Sequence, residues 1–189
     1  MGADIYLKSV SEPAREQGRP RFEAACLARN EYAERNPRHE NNAEYKRLQE
    51  AVSEAFEAMF PDEGYYRDSY NASSLFGVLG LSWWQAADVN GGSKHSPVGK
   101  LINKQSHMSV RNMKRLKKYL EEVDFETRFK SWVAEKRNPP KDRKWDKIDF
   151  RAKGNGVREW HQMFSDKRKN LIALLDNAIA RKEQLYCSV

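Results

Sequence analysis

Apolar residues recur at helical spacing along most of the chain. The clearest stripe lies between Asn42 and Pro61, where hydrophobic side chains fall at i, i+3, i+4 and i+7: Tyr45, Leu48, Val52, Ala55, Phe56 and Met59. Asn41 or Asn42 is well placed to cap this helix, and Pro61 follows its end. The pattern therefore predicts an amphipathic helix over this segment.

A second helix is predicted immediately before it. Pro20 suits the first helical position because it lacks a backbone N–H, and Pro37 stops the stripe that follows. The preceding segment 11–18 is interpreted as a loop around Pro13. Two helices joined by a short polar link predict an αα-hairpin.

Three longer helices are predicted in the second half of the chain. Ser109 is placed to cap the first, the Pro139-Pro140 pair ends the second, and the third carries apolar residues from Val157 to Ala178. The stretch near 138–156 is polar and basic and is bounded by proline and glycine. We interpret that stretch as an exposed insertion.

The two ends of the chain show strand-like patterns. Within residues 3–10, Ile5 and Leu7 alternate with polar neighbours, and the tail 185–189 is rich in β-favouring residues. These segments are expected to pair. The prediction is an α+β fold, predominantly helical, with about six helices around a minor sheet, and residues 1–189 form a single domain.

The segment between the hairpin and the basic half is rich in aromatic residues. Residues 65–71 (YYRDSYN) have the composition of an ordered loop, and residues 73–79 predict a short apolar helix closed by Gly80. Ser82, with a glutamine three residues later, predicts a capping box at the start of the next helix. Two tryptophans would then occupy its first turn.

Composition narrows the class of protein. Hydrophobic residues make up 39% of 189 residues, which is enough for a core, and no run approaches the roughly 18 apolar residues of a membrane span. The first ten residues lack the basic and apolar regions of a secretory signal. Cys26 and Cys187 are too few for a disulfide scaffold. These features favour a cytoplasmic protein without membrane contact.

Charge is unevenly distributed along the chain. The net charge is +7, but residues 1–88 carry −5 and residues 89–189 carry +12. Between Asp88 and Glu121 there is no acidic residue, whereas eight cations accumulate there: Lys94, Lys100, Lys104, Arg111, Lys114, Arg115, Lys117 and Lys118. Such a surface attracts a polyanion or an acidic protein over roughly 8–10 Å. The alternative is that the acidic half neutralises it internally.

Two classes of partner would use this basic segment. DNA or RNA would meet the cations through its phosphates while Trp145 or Tyr119 stacked on bases. A host protein or nucleoprotein complex would instead present an acidic surface. Between Asp88 and Glu121 the only aromatic residue is Tyr119. The protein partner is therefore favoured, with Lys100, Lys104, Arg111, Lys114, Arg115, Lys117 and Lys118 as the contact residues.

No catalytic or cofactor motif stands out. The four histidines are far apart in sequence, no zinc-type spacing occurs, and the phosphate-binding and dinucleotide-binding glycine motifs are missing. We therefore predict no metal, no cofactor and no catalytic residue.

A possible small-ligand site is the second candidate. It would combine an arginine fork, amide and carboxylate groups and aromatic faces: Asp4, Arg67, Asp68, Tyr70, Asn71, Trp83 and Trp84. Such a site would suit a phosphate-bearing small molecule, as a binder or an enzyme. The alternative is structural, with Asp68 capping a turn, Asn71 starting a helix and Arg67 pairing with Asp4. The structural alternative is favoured.

Four segments carry a family resemblance: MGADIYL at 1–7, GYYRDSYN at 64–71, GLSWW at 80–84 and CSV at 187–189. In order and spacing they resemble a family of uncharacterised bacteriophage and bacterial proteins. The resemblance implies a phage or mobile-element context and a framework shared by residues of these segments: Asp4, Arg67, Asp68, Tyr70, Asn71, Ser82, Trp83 and Cys187. We expect a non-enzymatic accessory protein that inhibits a host factor, such as a nucleic-acid-guided defence complex (an anti-CRISPR role).

Overall fold

The computed structural model describes residues 2–87 and 96–188, without the side chain of Trp145. Lys94, one of the eight cations between Asp88 and Glu121, lies outside these residues. The described helices are α1 Lys8–Arg35, α2 Ala43–Met59, α3 Leu75–Val78, α4 Trp83–Ala86, α5 Val110–Glu122, α6 Phe125–Arg137 and α7 Val157–Arg181, with a 3-10 helix at Lys141–Asp146. The strands are β1 Gly2–Tyr6, β2 Tyr65–Ser69, β3 His107–Met108 and β4 Leu185–Ser188.

The predicted α+β class is confirmed, since helices dominate and a four-stranded sheet has the order β2-β1-β4-β3. The expected pairing of the chain ends is also confirmed. Strands β1 and β4 are antiparallel, with Ile5 opposite Cys187 and Tyr6 opposite Tyr186. Ile5 and Cys187 are fully buried while their neighbours are partly exposed, as alternation in a sheet with one covered face requires.

The chain divides into two compact units, Met1–Tyr6 with Tyr66–Val189 and Leu7–Tyr65. The single domain proposed for 1–189 remains a prediction. No described helix combines the length and apolar character needed to cross a membrane.

In the second unit, α1 corrects the sequence-based prediction. Residues 8–10, expected in the first strand, and the segment 11–18, interpreted as a loop, are both helical. Helix α1 therefore begins before Pro20 and runs through both Pro13 and Pro20. Each proline removes one helical hydrogen bond. Contacts at the start of α1 support the helix locally, since Ser11 Oγ donates to the Gly64 carbonyl at 2.7 Å and the Leu7 N–H donates to the same oxygen at 2.8 Å.

The predicted αα-hairpin is confirmed, with α1 and α2 packed against each other. Asn42 caps α2, its Oδ1 accepting from the Glu44 N–H at 2.8 Å. An aromatic contact joins the two helices, with 5.9 Å between the ring centroids of Phe22 and Phe56. Phe56 also contacts Phe60 at the end of α2, with the ring centroids 4.6 Å apart. The apolar stripe of α2 is not fully covered, because the Phe56 side chain remains 36% exposed.

The first unit has its core between the sheet and the later helices. Helices α5 and α7 pack together, and their inward side chains are fully buried: Met113, Leu116, Leu120, Phe164, Leu171, Leu174, Leu175 and Ala178. The cap predicted for α5 is present, since Ser109 Oγ accepts from the Asn112 N–H at 3.3 Å. Helix α6 ends at Arg137, before the proline pair, as predicted.

The stretch near 138–156 is largely exposed, with local anchors to α6. The Ile148 N–H donates to the Lys136 carbonyl at 3.0 Å, and the Arg137 guanidinium lies 5.7 Å from the centroid of the Phe150 ring. Lys136 also pairs with Asp146 at 3.3 Å. These contacts give the stretch a defined attachment at its middle.

Candidate partner-binding surfaces

The YYRDSYN segment is a strand over its first five residues, which corrects the predicted loop. Alternation along β2 turns Tyr66 and Asp68 inward and leaves Arg67 exposed. The two tyrosines at the start of β2 favour a strand, but the polar residues that follow them are more typical of a loop.

Asp68 is fully buried and accepts five hydrogen bonds. Its donors come from three elements: the Leu75 N–H (2.9 Å), the Phe76 N–H (3.1 Å), Ser74 Oγ (3.1 Å), Trp83 Nε1 (2.9 Å) and Lys167 Nζ (3.1 Å). The carboxylate therefore caps α3, orients Trp83 of α4 and forms an ion pair with α7. All these acceptor sites are used by the protein itself.

Two other residues of the candidate ligand site are structural as well. Trp83 is buried and stacks on Phe76 with centroids 3.5 Å apart. Asn71 Oδ1 accepts from the Ser73 N–H at 3.0 Å and from Ser73 Oγ at 2.7 Å. The predicted start of a helix at Ala72 is wrong, because Asn71 closes a turn and α3 begins after Ser74.

The next helix start is only partly as predicted. Ser82 occupies the N-cap position of α4, and both tryptophans lie in its first turn. The capping box is wrong, because the Ser82 side chain makes no capping hydrogen bond. The preceding Gly80 has φ +71°, which confirms the left-handed turn expected at the end of α3.

The remaining members of the candidate ligand site are at the surface. Arg67 Nε lies 3.6 Å from Asp4 Oδ1, as the structural alternative required. Tyr70 and Trp84 stack with centroids 5.6 Å apart and are 36% and 57% exposed. Burial raises the pKa of Tyr70, and the carboxylates of Asp4 and Asp68 raise it further. The seven predicted residues thus do not form one site. Asp68 and Trp83 are buried supports, Asn71 holds a turn, Arg67 and Asp4 pair at the surface, and Tyr70 and Trp84 form an exposed aromatic pair.

Helix α5 gathers the predicted cations on one side. Four of them are exposed at i, i+3, i+4 and i+7: Arg111, Lys114, Arg115 and Lys118. These four, with Lys100 and Lys104, are called the basic face below. The buried side of the same helix holds Met113, Leu116 and Leu120. The four helical cations extend over about 10 Å of the helix axis.

Lys117 does not belong to the basic face. Its Nζ lies 2.5 Å from Asp176 Oδ1 and 3.5 Å from Glu121 Oε1. The hydrogen bond to Asp176 raises the pKa of Lys117. This cation joins α5 to α7, and its charge is offset within the first unit.

Hydrogen bonds attach the segment before α5 to the helix. Arg115 donates to the Lys100 carbonyl at 2.7 Å, and Asn112 Nδ2 donates to the Leu101 carbonyl at 2.7 Å. Lys104 lies in the adjoining turn, where Asn103 Oδ1 accepts from the His107 N–H at 2.9 Å. Lys100 and Lys104 are thereby held near the start of the helix.

Of the two aromatic residues predicted to stack on bases, Tyr119 is not free to do so. Tyr119 is partly buried and donates its hydroxyl to the Leu79 carbonyl at 2.9 Å, so its ring is committed to packing. The Trp145 side chain lies outside the described part of the structure. The sequence did not indicate that Trp84, placed before the basic segment, is the most exposed tryptophan among the described side chains.

Comparisons with known proteins add no family. No family model, curated protein or solved structure matches the chain. The functional argument therefore depends on the surfaces themselves.

Histidine and cysteine side chains are further candidates for reactive or metal-binding groups among the described residues. Within residues 2–87 and 96–188, no group of three or more His, Cys, Asp or Glu is arranged to hold a metal ion. His161 is half-buried, and its Nε2 lies 2.8 Å from Glu126 Oε1. Cys187 is buried, and burial raises the pKa of its thiol to about 12. The arrangement is suited to binding through charge and aromatic contact.

Proposed function

We propose that this chain is a non-enzymatic accessory protein that binds and inhibits a host factor, with the basic face as its docking surface. The observation that carries the proposal is the exposed, ordered row of cations on α5. Within the described residues, neither Arg111 nor Lys114 forms an ion pair with a carboxylate. Their charge is available to an acidic partner.

A protein partner is favoured over direct nucleic-acid binding. Exposed cations draw an acidic surface in and orient it, which mainly speeds association. Nucleic acid would add base stacking, but the aromatic residue on α5, Tyr119, is occupied by its contact with Leu79. The resemblance to phage and bacterial proteins suggests that the partner is a host protein or nucleoprotein complex, including a nucleic-acid-guided defence complex, in the host cytoplasm.

The experiment compares charge reversals on and away from the basic face. Bacterial lysate is treated with nuclease and passed over wild-type protein, the double variant Lys114→Glu/Lys118→Glu, or the control Lys46→Glu/Lys130→Glu. The control changes two exposed lysines on α2 and α6 and therefore has the same net charge. We expect a discrete protein that the wild type and the control retain and the α5 variant loses. Equal retention by both double variants would refute the proposal.

Direct binding to DNA or RNA remains the second candidate, because the same cations would contact phosphates. It predicts that log affinity for a 30-nucleotide probe falls linearly with log salt, with a slope of about −4 for five contacts. The Lys114→Glu/Lys118→Glu variant should flatten that slope by about two. The protein-partner proposal expects no measurable binding of free nucleic acid at ~50 mM salt.

A further inference from the structure

Trp84 is the most exposed aromatic residue among the described side chains. It is 57% exposed although Trp83, its neighbour in α4, is 2% exposed. Large aromatic rings that remain exposed are common at the energetic centres of interfaces. Trp84 also lies against Tyr70, with the ring planes inclined by 28°. The pair forms a continuous aromatic surface rather than a single projecting ring.

The support beneath this pair is rigid. Trp83 donates to the buried Asp68 carboxylate, and Asp68 also caps α3 and pairs with Lys167. Tyr70 follows directly after β2. Because the backbone on both sides is fixed by buried contacts, the exposed rings lose little freedom when a partner covers them.

The aromatic pair is close to the basic face. Trp84 lies two residues before Ala86, whose carbonyl accepts from the Leu101 N–H at 2.7 Å, and Lys100 is the residue before Leu101. Standard backbone dimensions place the Cα atoms of Trp84 and Lys100 no more than about 18 Å apart. A standard interface of about 800 Å² per partner is roughly 30 Å across. One partner can therefore cover both features.

We infer that the Tyr70–Trp84 pair is the apolar centre of the same docking surface, and that its occupant is an acidic protein segment with a projecting apolar side chain. The inference rests on the proposed function of the basic face. It assigns the two parts of the surface different roles: the cations attract and orient the segment, and the rings bind the apolar side chain.

Local charge argues against a nucleobase on these rings. Burial and then the charge of Asp4 raise the pKa of Tyr70, and Arg67 Nε lies 3.6 Å from Asp4 Oδ1. A base stacked on the pair would bring its phosphate close to this carboxylate, where like charges repel. A protein segment can instead place its apolar side chain on the rings and its acidic residues over the basic face, away from Asp4.

The test uses a defined probe and two readouts in the full chain. The probe is a 12-residue peptide of glutamates with one central leucine, and its matched control has alanine in place of leucine. Binding is followed by NMR through the Trp84 indole N–H, assigned with Trp84→Phe, and through the backbone amides of Lys114 and Lys118. We expect the leucine peptide to shift both sets of signals and the alanine peptide to bind about fivefold more weakly. Trp84→Ala should remove that difference.

The outcomes separate this inference from the proposed function. If the α5 amides shift and the indole signal does not, the aromatic centre is refuted while the basic face stands. If neither set shifts, both are refuted. If a 12-nucleotide oligothymidylate shifts the indole signal and Trp84→Ala abolishes its binding, the occupant is single-stranded nucleic acid and the inference is wrong. Leu27→Ala, a change at a 60% exposed residue of α1, serves as the control and should leave peptide binding unchanged.

Discussion

Removing the Asp68 carboxylate should destabilise the first unit severely. Asp68→Ala would leave the Leu75 and Phe76 N–H groups, the Trp83 indole and the Lys167 ammonium without their buried acceptor. Each hydrogen bond to a charged group contributes roughly 1.5–3 kcal/mol, and these contributions are not additive. Breaking a buried ion pair from one side costs about 3–5 kcal/mol. We expect a total loss of about 3–5 kcal/mol.

Urea denaturation followed by tryptophan fluorescence measures this loss. The matched control is Asn71→Ala, three residues away, whose exposed side chain holds only the turn at Ser73. That variant should lose about 1 kcal/mol, the usual size of a lost cap. Lys167→Met should fall between the two, because Asp68 keeps its four other donors. If Asp68→Ala is within 1 kcal/mol of wild type, the assignment of Asp68 as the central support is wrong.

Three further predictions follow from other contacts. Deleting Leu185–Val189 should lower the free energy of unfolding by about 2–4 kcal/mol, because β4 lies between β1 and β3 and buries Leu185 and Cys187. An unchanged midpoint of chemical denaturation would contradict this prediction. Cys187 should resist a thiol reagent at pH 8 until the protein unfolds, so rapid labelling of both Cys26 and Cys187 in the native protein would refute its burial. Because the pKa of Cys187 is raised in the folded state, the unfolded thiol ionises first, and the contribution of Cys187 to stability is present below pH ~9 and lost as pH rises towards 12. Gly64→Ala should destabilise the protein by about 1–3 kcal/mol, because a Cβ at Gly64 would lie 2.5 Å from Val10 Cγ1. Gly18→Ala should cost less, because the atom nearest to its Cβ, Met59 Cγ, belongs to a flexible side chain. A lower melting temperature for Gly18→Ala than for Gly64→Ala would count against this packing.

The terminal strands could be predicted from the sequence because their signal is local. Alternation around Ile5 and the β-favouring tail each identify a strand, and few other segments were available as partners. Asn42 and Ser109 were likewise identified as caps from their own neighbourhoods. Such features depend on residues within one or two turns of each other.

The missed features depend on distant contacts. Pro13 and Pro20 indicate a helix boundary, and the anchoring of the start of α1 at Gly64, 53 residues from Ser11, cannot be inferred from local pattern. The pairing of Asp68 with Lys167 spans 99 residues. The positive charge of α5 is evident in the sequence. Only the position of Asp176 shows that the charge of Lys117 is offset, whereas Arg111 and Lys114 form no ion pair with a carboxylate among the described residues. The exposure of Trp84 rather than Trp83 similarly depends on the buried carboxylate.

Association kinetics with the captured partner test the central claim most directly. The nuclease-treated partner is mixed in a stopped-flow instrument with wild type, Lys114→Glu/Lys118→Glu or Lys46→Glu/Lys130→Glu, over salt concentrations from ~50 to ~500 mM. If the basic face is the docking surface, the wild type and the control should associate rapidly at low salt and slow together as salt rises. The α5 variant should associate at least tenfold more slowly at low salt, with little salt dependence. Identical rates and salt dependence for all three proteins would contradict the account.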